Sequence, residues 1–411
     1  MKTIDLAKKI KLATNKLLNI SEADRKKAIK ALALALIENK SAILVTNQID
    51  LANAKNQNFD AAFIDRLTVT DKTLLNLTQA ASEIHDFEQV VGTIIQDNKR
   101  ADGLQIQKQR IPIGLIAMVY ESRPNVTVEA ALLAIKSGNG LILKGGSEAT
   151  ATNLAFIKVI TDATKNILPD DWIGYIDTRE SFNEILKLNS LIDLIIPRGG
   201  EKLVQFVREN STIPVIAHNK GLCHLYIHSD AFVDEAIKIV LNAKTQRPGV
   251  CNALESLLIH KDLGDSNISI ILDALNEKGV ELFGNEPVQK LKAFVLPAKE
   301  DNYNTEYLAL KLSIKIVQDE DEAISHIQKY GSHHTEGILS LNTQVIEKFM
   351  NQIDASCITI NASTRFNDGG ELGLGAELGI STSKLHAYGP MGIKEMTTTR
   401  YIVRGNGHVR S

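Results

Sequence analysis

Short apolar runs of strand character alternate with helix-length patterns from residue 104 to residue 360, and this alternation predicts an α/β protein built on parallel sheets. Two further observations agree with it. The first ninety or so residues carry helical patterning, which supplies helices to cover a sheet. Two of the predicted strands end in a cation followed by a glycine pair, at the carboxyl edge where open α/β sheets bind ligands.

In chain order, Ile10, Leu17 and Leu18 form the apolar stripe of a first helix. Ser21, three residues before Asp24, caps a second helix predicted to run through Ile37. Leu104 to Gln107 alternates as a strand, and Ile111 to Tyr120 is a longer apolar run. A helix follows from Val126 to Ile135, then a turn at Gly138-Asn139-Gly140 and a buried strand at Leu141 to Leu143. Helices are predicted from Ser147 to Asn166, Phe182 to Leu188 and Glu201 to Arg208. Strands are predicted at Trp172 to Ile176, Leu191 to Ile196 and Ile213 to Ala217. The pattern restarts with a strand at Leu225 to Ile227, a helix from Val233 to Thr245 and a strand at Leu257 to Ile259. Later strands are expected at Ile314 to Val317, Gly337 to Leu341 and Cys357 to Ile360, separated by helices at Asp321 to Tyr330 and Thr343 to Ile353. Met396 to Val403 alternates like a strand with no neighbour in sequence, so pairing with a second copy's sheet edge is the expectation.

At roughly 150 residues per domain, 411 residues make two or three domains. Forty-six basic against 49 acidic residues, net −3, argue against general nucleic-acid binding. No apolar run approaches the roughly 18 residues of a membrane span, and the N-terminus lacks a signal core. Three scattered cysteines, Cys223, Cys251 and Cys357, form neither a disulfide scaffold nor a C-x-x-C site, which predicts a cytoplasmic protein with reduced thiols.

The chemistry-bearing residues sit at turns. Lys144-Gly145-Gly146-Ser147 and Arg198-Gly199-Gly200 each join a strand end to a helix start, so backbone amides and a cation can face a phosphate group. Gly373 to Gly379 has dinucleotide-like glycines, but their spacing is wrong and no strand leads into them. Cys251 lies on a loop behind Pro248 and Gly249, with Lys244 and Arg247 close by; cations favour the nucleophilic thiolate. Cys223 and Cys357 lie beside apolar residues and read as packing. His218, His224 and His228 lack metal-ligand spacing, and no metal is expected. Asn125 is either a helix cap or an oxyanion amide.

Several long motifs occur together: Tyr120-Glu121-Ser122-Arg123-Pro124-Asn125, Leu143-Lys144-Gly145-Gly146-Ser147, Ile196-Pro197-Arg198-Gly199-Gly200, Gly249-Val250-Cys251-Asn252, Asn361-Ala362-Ser363-Thr364-Arg365-Phe366 and Leu385-His386-Ala387-Tyr388-Gly389-Pro390. With them the chain resembles, over essentially its whole length, the gamma-glutamyl phosphate reductases of the aldehyde dehydrogenase superfamily. The resemblance implies a Rossmann-like NADP-binding domain (residues 1–97 and 110–225, with part of 366–387), an α/β catalytic domain (226–365) and a small β oligomerisation element (98–109 and 388–411). It implies reduction of L-glutamyl 5-phosphate by NADPH to L-glutamate 5-semialdehyde, with phosphate released, in proline biosynthesis. Another acyl phosphate or aldehyde is the alternative substrate. It assigns the nucleophile to Cys251, the oxyanion amide to Asn125, and cofactor contacts to Lys144, Gly145, Gly146, Ser147, Arg198, Gly199, Gly200 and Glu306. Arg123 and Arg247 are candidates for substrate charges. A homo-oligomer and a functional association with glutamate 5-kinase are the implied partners. The superfamily's hydrolytic members carry a glutamate where this chain has His218-Asn219-Lys220-Gly221, which suits a reductase that needs no water-activating base.

Overall fold

In a computed structural model that describes residues 2–217, 220–374 and 376–410, the chain divides into two units: residues 1–217, 373–379 and 391–411, and residues 218–372 and 380–390. The C-terminal strand clusters with the first unit.

The first unit opens with five helices: α1 (Thr3–Leu17), α2 (Glu22–Glu38), α3 (Lys40–Asn56), α4 (Ala61–Leu67) and α5 (Asp71–Asp86). The Ser21 hydroxyl caps α2 by accepting from the Asp24 amide at 3.1 Å. Ile10 and Leu17 are buried as their spacing predicts; Leu18, at the end of α1, is exposed. Then come β1 (Ile94–Lys99), β2 (Gln105–Pro112), β3 (Leu115–Tyr120), α6 (Asn125–Ser137), β4 (Gly140–Lys144), α7 (Thr150–Thr164), β5 (Ile173–Tyr175), α8 (Arg179–Ile185), β6 (Leu194–Arg198) and α9 (Glu201–Asn210). Strands β3 to β6 form a parallel sheet in the order β5-β4-β3-β6. Ala7 and Ile10 of α1 pack with Leu115, Ala117, Val119 and Ile142 in the core on that sheet, and α6 is buried along nearly its whole length.

Three sequence expectations change here. The run from Ile111 to Tyr120 is two strands, broken at Gly114, whose φ of +133° suits only glycine. Ile213 to Ala217 supplies only a single bridge, Ile195 to Val215, because Pro214 has no N–H with which to continue the ladder. The C-terminal strand Thr397–Arg404 is not unpaired: it runs antiparallel to β2, which also pairs with β1, an element the sequence reading missed. Beyond Thr397 its residues are half-buried or exposed, Tyr401 and Val403 among the exposed ones.

The second unit holds β7 (Cys223–Ile227), α10 (Val233–Thr245), β8 (Leu254–His260), α11 (Asp265–Glu277), β9 (Glu281–Gly284), α12 (Glu286–Leu291), β10 (Leu296–Pro297), α13 (Glu300–Tyr303), β11 (Lys311–Val317), α14 (Glu320–Tyr330), β12 (Thr335–Leu339), α15 (Thr343–Gln352) and β13 (Cys357–Ile360). Seven of its strands form an all-parallel sheet in the order β10-β9-β11-β8-β7-β12-β13, and Ile380–Ser381 pairs antiparallel with Gly389–Pro390. β7 and β8 are buried at every residue, as strands covered by helices on both faces must be. Residues of α10 and α11 pack on one face with Leu225, Ile227, Leu257 and Ile259; α14 and α15 pack on the other with Tyr226, Leu258 and Ile338.

Asn139 ties the first unit together. Its Oδ1 accepts from the Gly114 amide at 2.9 Å, and its Nδ2 donates to Ser137 Oγ at 2.7 Å and to the Met396 carbonyl at 2.8 Å. It thereby joins the start of β3, the end of α6 and the segment entering the C-terminal strand. Asn139→Ala leaves the half-buried Gly114 amide and the buried Met396 carbonyl without this partner, so we expect a loss of about 2–4 kcal/mol, read as a lower urea midpoint; an unchanged midpoint contradicts this role.

Candidate active site

Cys251 lies between α10 and β8. Pro248 prevents α10 from continuing, so the chain crosses to β8 through a loop that carries a half-buried thiol. Gly221 lies directly against it: a Cβ built at Gly221 would stand 2.0 Å from the Cys251 carbonyl oxygen and 2.5 Å from its Cα. Only glycine permits that approach. The Gly221 amide donates to Glu306 Oε1 at 3.0 Å, and the Cys223 thiol donates to the Cys251 carbonyl at 3.1 Å. Burial pushes the pKa of Cys223 well above its ordinary value and raises that of Cys357, so both stay protonated. The structure thus separates the half-buried loop cysteine from two thiols held neutral, and Cys357 itself lies in β13.

Lys244 does not serve as the cation beside Cys251 that the sequence suggested. Its ammonium is fully buried and paired with Glu255 at 2.7 Å. Burial lowers the Lys244 pKa and raises that of Glu255, each held back by the other's charge. Glu255 Oε1 also accepts from the Leu308 amide at 3.1 Å. Arg247, by contrast, is exposed on the loop.

Arg365 lies in the motif Asn361 to Phe366, to which the resemblance attaches no site role. Its Nε donates to Gln246 Oε1 at 2.8 Å, next to Arg247. Asn252, next to Cys251, donates to the carbonyls of Asn367 (2.9 Å) and Arg365 (3.4 Å), and its own carbonyl accepts from Thr364 Oγ1 at 2.8 Å. These bonds join segments more than a hundred residues apart, which is why spacing could not reveal them.

The remaining candidates lie in the first unit. Asn125 is the first residue of α6, and its Nδ2 donates to Glu129 Oε1 at 2.9 Å, leaving a second amide hydrogen for another acceptor. Arg123 is exposed on the preceding turn. Lys144 to Ser147 and Arg198 to Gly200 follow β4 and β6, the two strands that flank β3, so the sheet brings the two glycine turns to one edge. The anions already there are the protein's own. The Gly200 amide donates to Glu121 Oε2 at 2.7 Å, and Glu148 Oε1 accepts from the Ser122 amide and hydroxyl at 2.9 and 2.8 Å. A Cβ at Gly199 would stand 2.5 Å from Glu121, and one at Gly146 2.0 Å from Glu148. Ser147 opens a short 3-10 turn, and helix α7 proper starts at Thr150. Lys144 Nζ donates to the Gly145 carbonyl, and burial lowers its pKa against the pull of Glu148 and Asp177. Glu306 belongs to the second unit, with Cys251, and not with these turns.

His218 and Asn219, on which the comparison with hydrolytic enzymes partly rests, and Gly375 of the glycine-rich stretch lie outside the described residues. His224 is buried against Glu336 at 2.9 Å. His228, His260 and Glu320 bring possible ligand atoms within 4.8 Å of one another, at the end of β8 opposite Cys251. Sequence spacing misses this group because its members come from three elements. His228 is already bonded to Asp230, and His260 Nδ1 accepts from the Asp262 amide.

The loop thiol lies on one parallel α/β unit and the strand-end glycine turns on the other. Comparison with known proteins is specific. Residues 3–282 match the aldehyde dehydrogenase family. The gamma-glutamyl phosphate reductases of Nautilia profundicola and Carboxydothermus hydrogenoformans are 46% and 44% identical, each over 99% of both chains. The crystal structure of gamma-glutamyl phosphate reductase from Thermotoga maritima is 41% identical and covers both chains completely, with a TM-score of 0.98. The chain belongs to the aldehyde dehydrogenase family, on its gamma-glutamyl phosphate reductase branch.

Two outcomes follow from this geometry. Gly221→Ala must displace the Cys251 backbone, and we expect kcat to fall by about 100-fold with the circular dichroism spectrum unchanged. Lys244→Met leaves Glu255 buried and unpaired; unfolding titrations should show a loss of about 3–5 kcal/mol, largely restored by adding Glu255→Leu.

Proposed function

We propose that the chain reduces L-glutamyl 5-phosphate to L-glutamate 5-semialdehyde, releasing phosphate, through a thioester on Cys251. The observation that carries this reading is the half-buried Cys251 loop, braced by Gly221 and Cys223, in a chain whose full-length relatives bear the name gamma-glutamyl phosphate reductase. The Cys251 thiolate attacks the acyl carbon; the C–S bond forms, the bond to the phosphate oxygen breaks, and phosphate leaves with that electron pair. Asn125, through its spare amide hydrogen, stabilises the oxygen anion that forms in between. After reduction the carbon–sulfur bond breaks, which releases the aldehyde and returns the thiolate.

A nicotinamide dinucleotide fits the edge of the first-unit sheet. Gly145, Gly146, Gly199 and Gly200 have no side chains to obstruct close approach, Lys144 supplies a cation, and Arg198 has a buried Nε without a partner among the described residues. When bound, NADPH supplies the hydride. Lys144 and Ser147 would hold its ribose side, and Arg198 and the glycines would lie along its phosphates. Glu121 and Glu148 must share or yield their amide and hydroxyl donors to it. Glu306, bonded to the Gly221 amide, would meet the nicotinamide ribose beside Cys251.

A homo-oligomer is supported by the exposed face of the C-terminal strand. No helix of the described residues is long and apolar enough to cross a membrane, in keeping with a cytoplasmic enzyme that receives its short-lived acyl phosphate from glutamate 5-kinase.

The test is a coupled assay with glutamate, ATP, glutamate 5-kinase and NADPH, read by the fall in NADPH absorbance. The wild-type chain should turn over, and Cys251→Ala should lose at least about 1,000-fold in kcat while remaining folded. Retained activity in that variant, or turnover only with another acyl phosphate in a substrate panel, defeats the reading.

A further inference from the structure

An acyl phosphate poses an electrostatic problem for a thiolate. The attacking sulfur and the leaving phosphate are both anionic and bond to the same carbon, so the site needs fixed cations on the phosphate side. Lys244 cannot meet that need, because Glu255 neutralises it in the interior. Among the described residues, the cations on the Cys251 side of the second unit include Arg247, on the loop itself, Arg365, tied to that loop through Gln246, and Lys220, beside Gly221.

The placement of Arg365 is constrained at three points. Its Nε is held by Gln246, the neighbour of Arg247. Its own carbonyl, and the next carbonyl but one, accept from Asn252, the neighbour of Cys251. The Thr364 hydroxyl donates back to the Asn252 carbonyl. The 3-10 turn Thr364–Phe366 is thus fastened to both ends of the nucleophile loop. Fixing the guanidinium by Nε alone leaves its two terminal nitrogens as an open fork, the geometry that binds two oxygens of one phosphate. Among the described residues those nitrogens have no hydrogen-bond partner. The side chain is half-buried, so a charge bound there is screened less than at an open surface. The electrostatic neighbourhood agrees: burial lowers the Arg365 pKa, the Arg247 charge lowers it further, and Asp368 and Cys251 oppose the change. The charges of Asp368, Arg247 and Cys251 thus all act on Arg365.

We propose that the open fork of Arg365, together with Arg247, binds the phosphoryl group of the acyl phosphate and stabilises it as it leaves. This deepens the functional reading above and rests on it. Arg365 remains protonated throughout. Its role is to orient the phosphate away from the incoming sulfur and to bind more tightly as charge accumulates on the departing oxygen.

The reverse reaction isolates the phosphate. The holoenzyme is supplied with L-glutamate 5-semialdehyde, NADP and inorganic phosphate, and NADPH formation is followed. In Arg365→Gln the KM for phosphate should rise at least about tenfold, with the KM for the semialdehyde within about twofold of wild type. Arg365→Lys, which keeps the charge but not the fork, should fall between. A rise confined to the semialdehyde KM would assign Arg365 to the substrate's α-carboxylate and overturn the proposal. Unchanged values for both would make the residue a brace for the loop. If the glutamine variant does not fold, the lysine variant carries the same comparison.

A second measurement separates this proposal from the functional reading. Inorganic phosphate alone should slow alkylation of Cys251 by iodoacetamide in the wild type and not in Arg365→Gln. Protection that depends on Arg365 without phosphate-dependent turnover would sink the reading of the substrate and leave the anion site standing. Turnover with protection unaffected by the substitution would sink the anion site alone.

Discussion

The close approach of Gly221 to the backbone of Cys251 is the constraint on which the candidate site depends. Two segments of main chain cannot pass at that distance if either bears a Cβ pointing at the other. Because they do pass, the Gly221 amide reaches Glu306 and the Cys223 thiol reaches the Cys251 carbonyl. A loop that would otherwise fluctuate is therefore held on one side by β7 and its entry. On the other side Asn252 holds it to the turn that contains Arg365. Nucleophilic catalysis needs this kind of support, since a thiol misplaced by about 1 Å forfeits much of its advantage.

Buried charge does related work beneath the loop. Lys244 at the end of α10 and Glu255 in β8 bracket the Cys251 segment, and their ion pair joins its two ends. An apolar pair of similar volume would hold the same elements together, and often with greater stability. The charged pair adds direction, because Glu255 also takes the Leu308 amide, in the segment that follows Glu306. The buried His224–Glu336 pair makes a comparable join between β7 and β12. Both pairs lie where parallel strands must stay in register beside the site.

The two units place their functional groups differently. In the first, the glycine turns follow the carboxyl ends of β4 and β6, the position that doubly wound sheets commonly use for ligands. In the second, Cys251 precedes the amino end of β8, and the carboxyl end of that strand carries His260 instead. The rule that ligands gather at carboxyl ends covers the glycine turns, but it says nothing of where the loop thiol lies.

Much of the fold was legible because periodicity and turn chemistry are local. The helix from Val233 to Thr245 was anticipated to the residue, and the buried strand at Leu141 fell where a short apolar run met a glycine turn. The loop position of Cys251 was also legible, since Pro248 must end the helix before it. Strand pairing was not: β2 joins Thr397–Arg404 across nearly three hundred residues, and periodicity carries no record of a partner. Nor was the fate of the charges. Lys244 and Arg365 are both simply cations in sequence, yet the first is neutralised by Glu255 in the interior and the second is held beside the loop with its fork open. By itself the sequence determined the α/β class, the order of the elements and the identity of the loop thiol, because each follows from neighbours along the chain. Tertiary structure alone decided which charges meet, since burial and the pairing of distant side chains arise only once the chain has closed on itself.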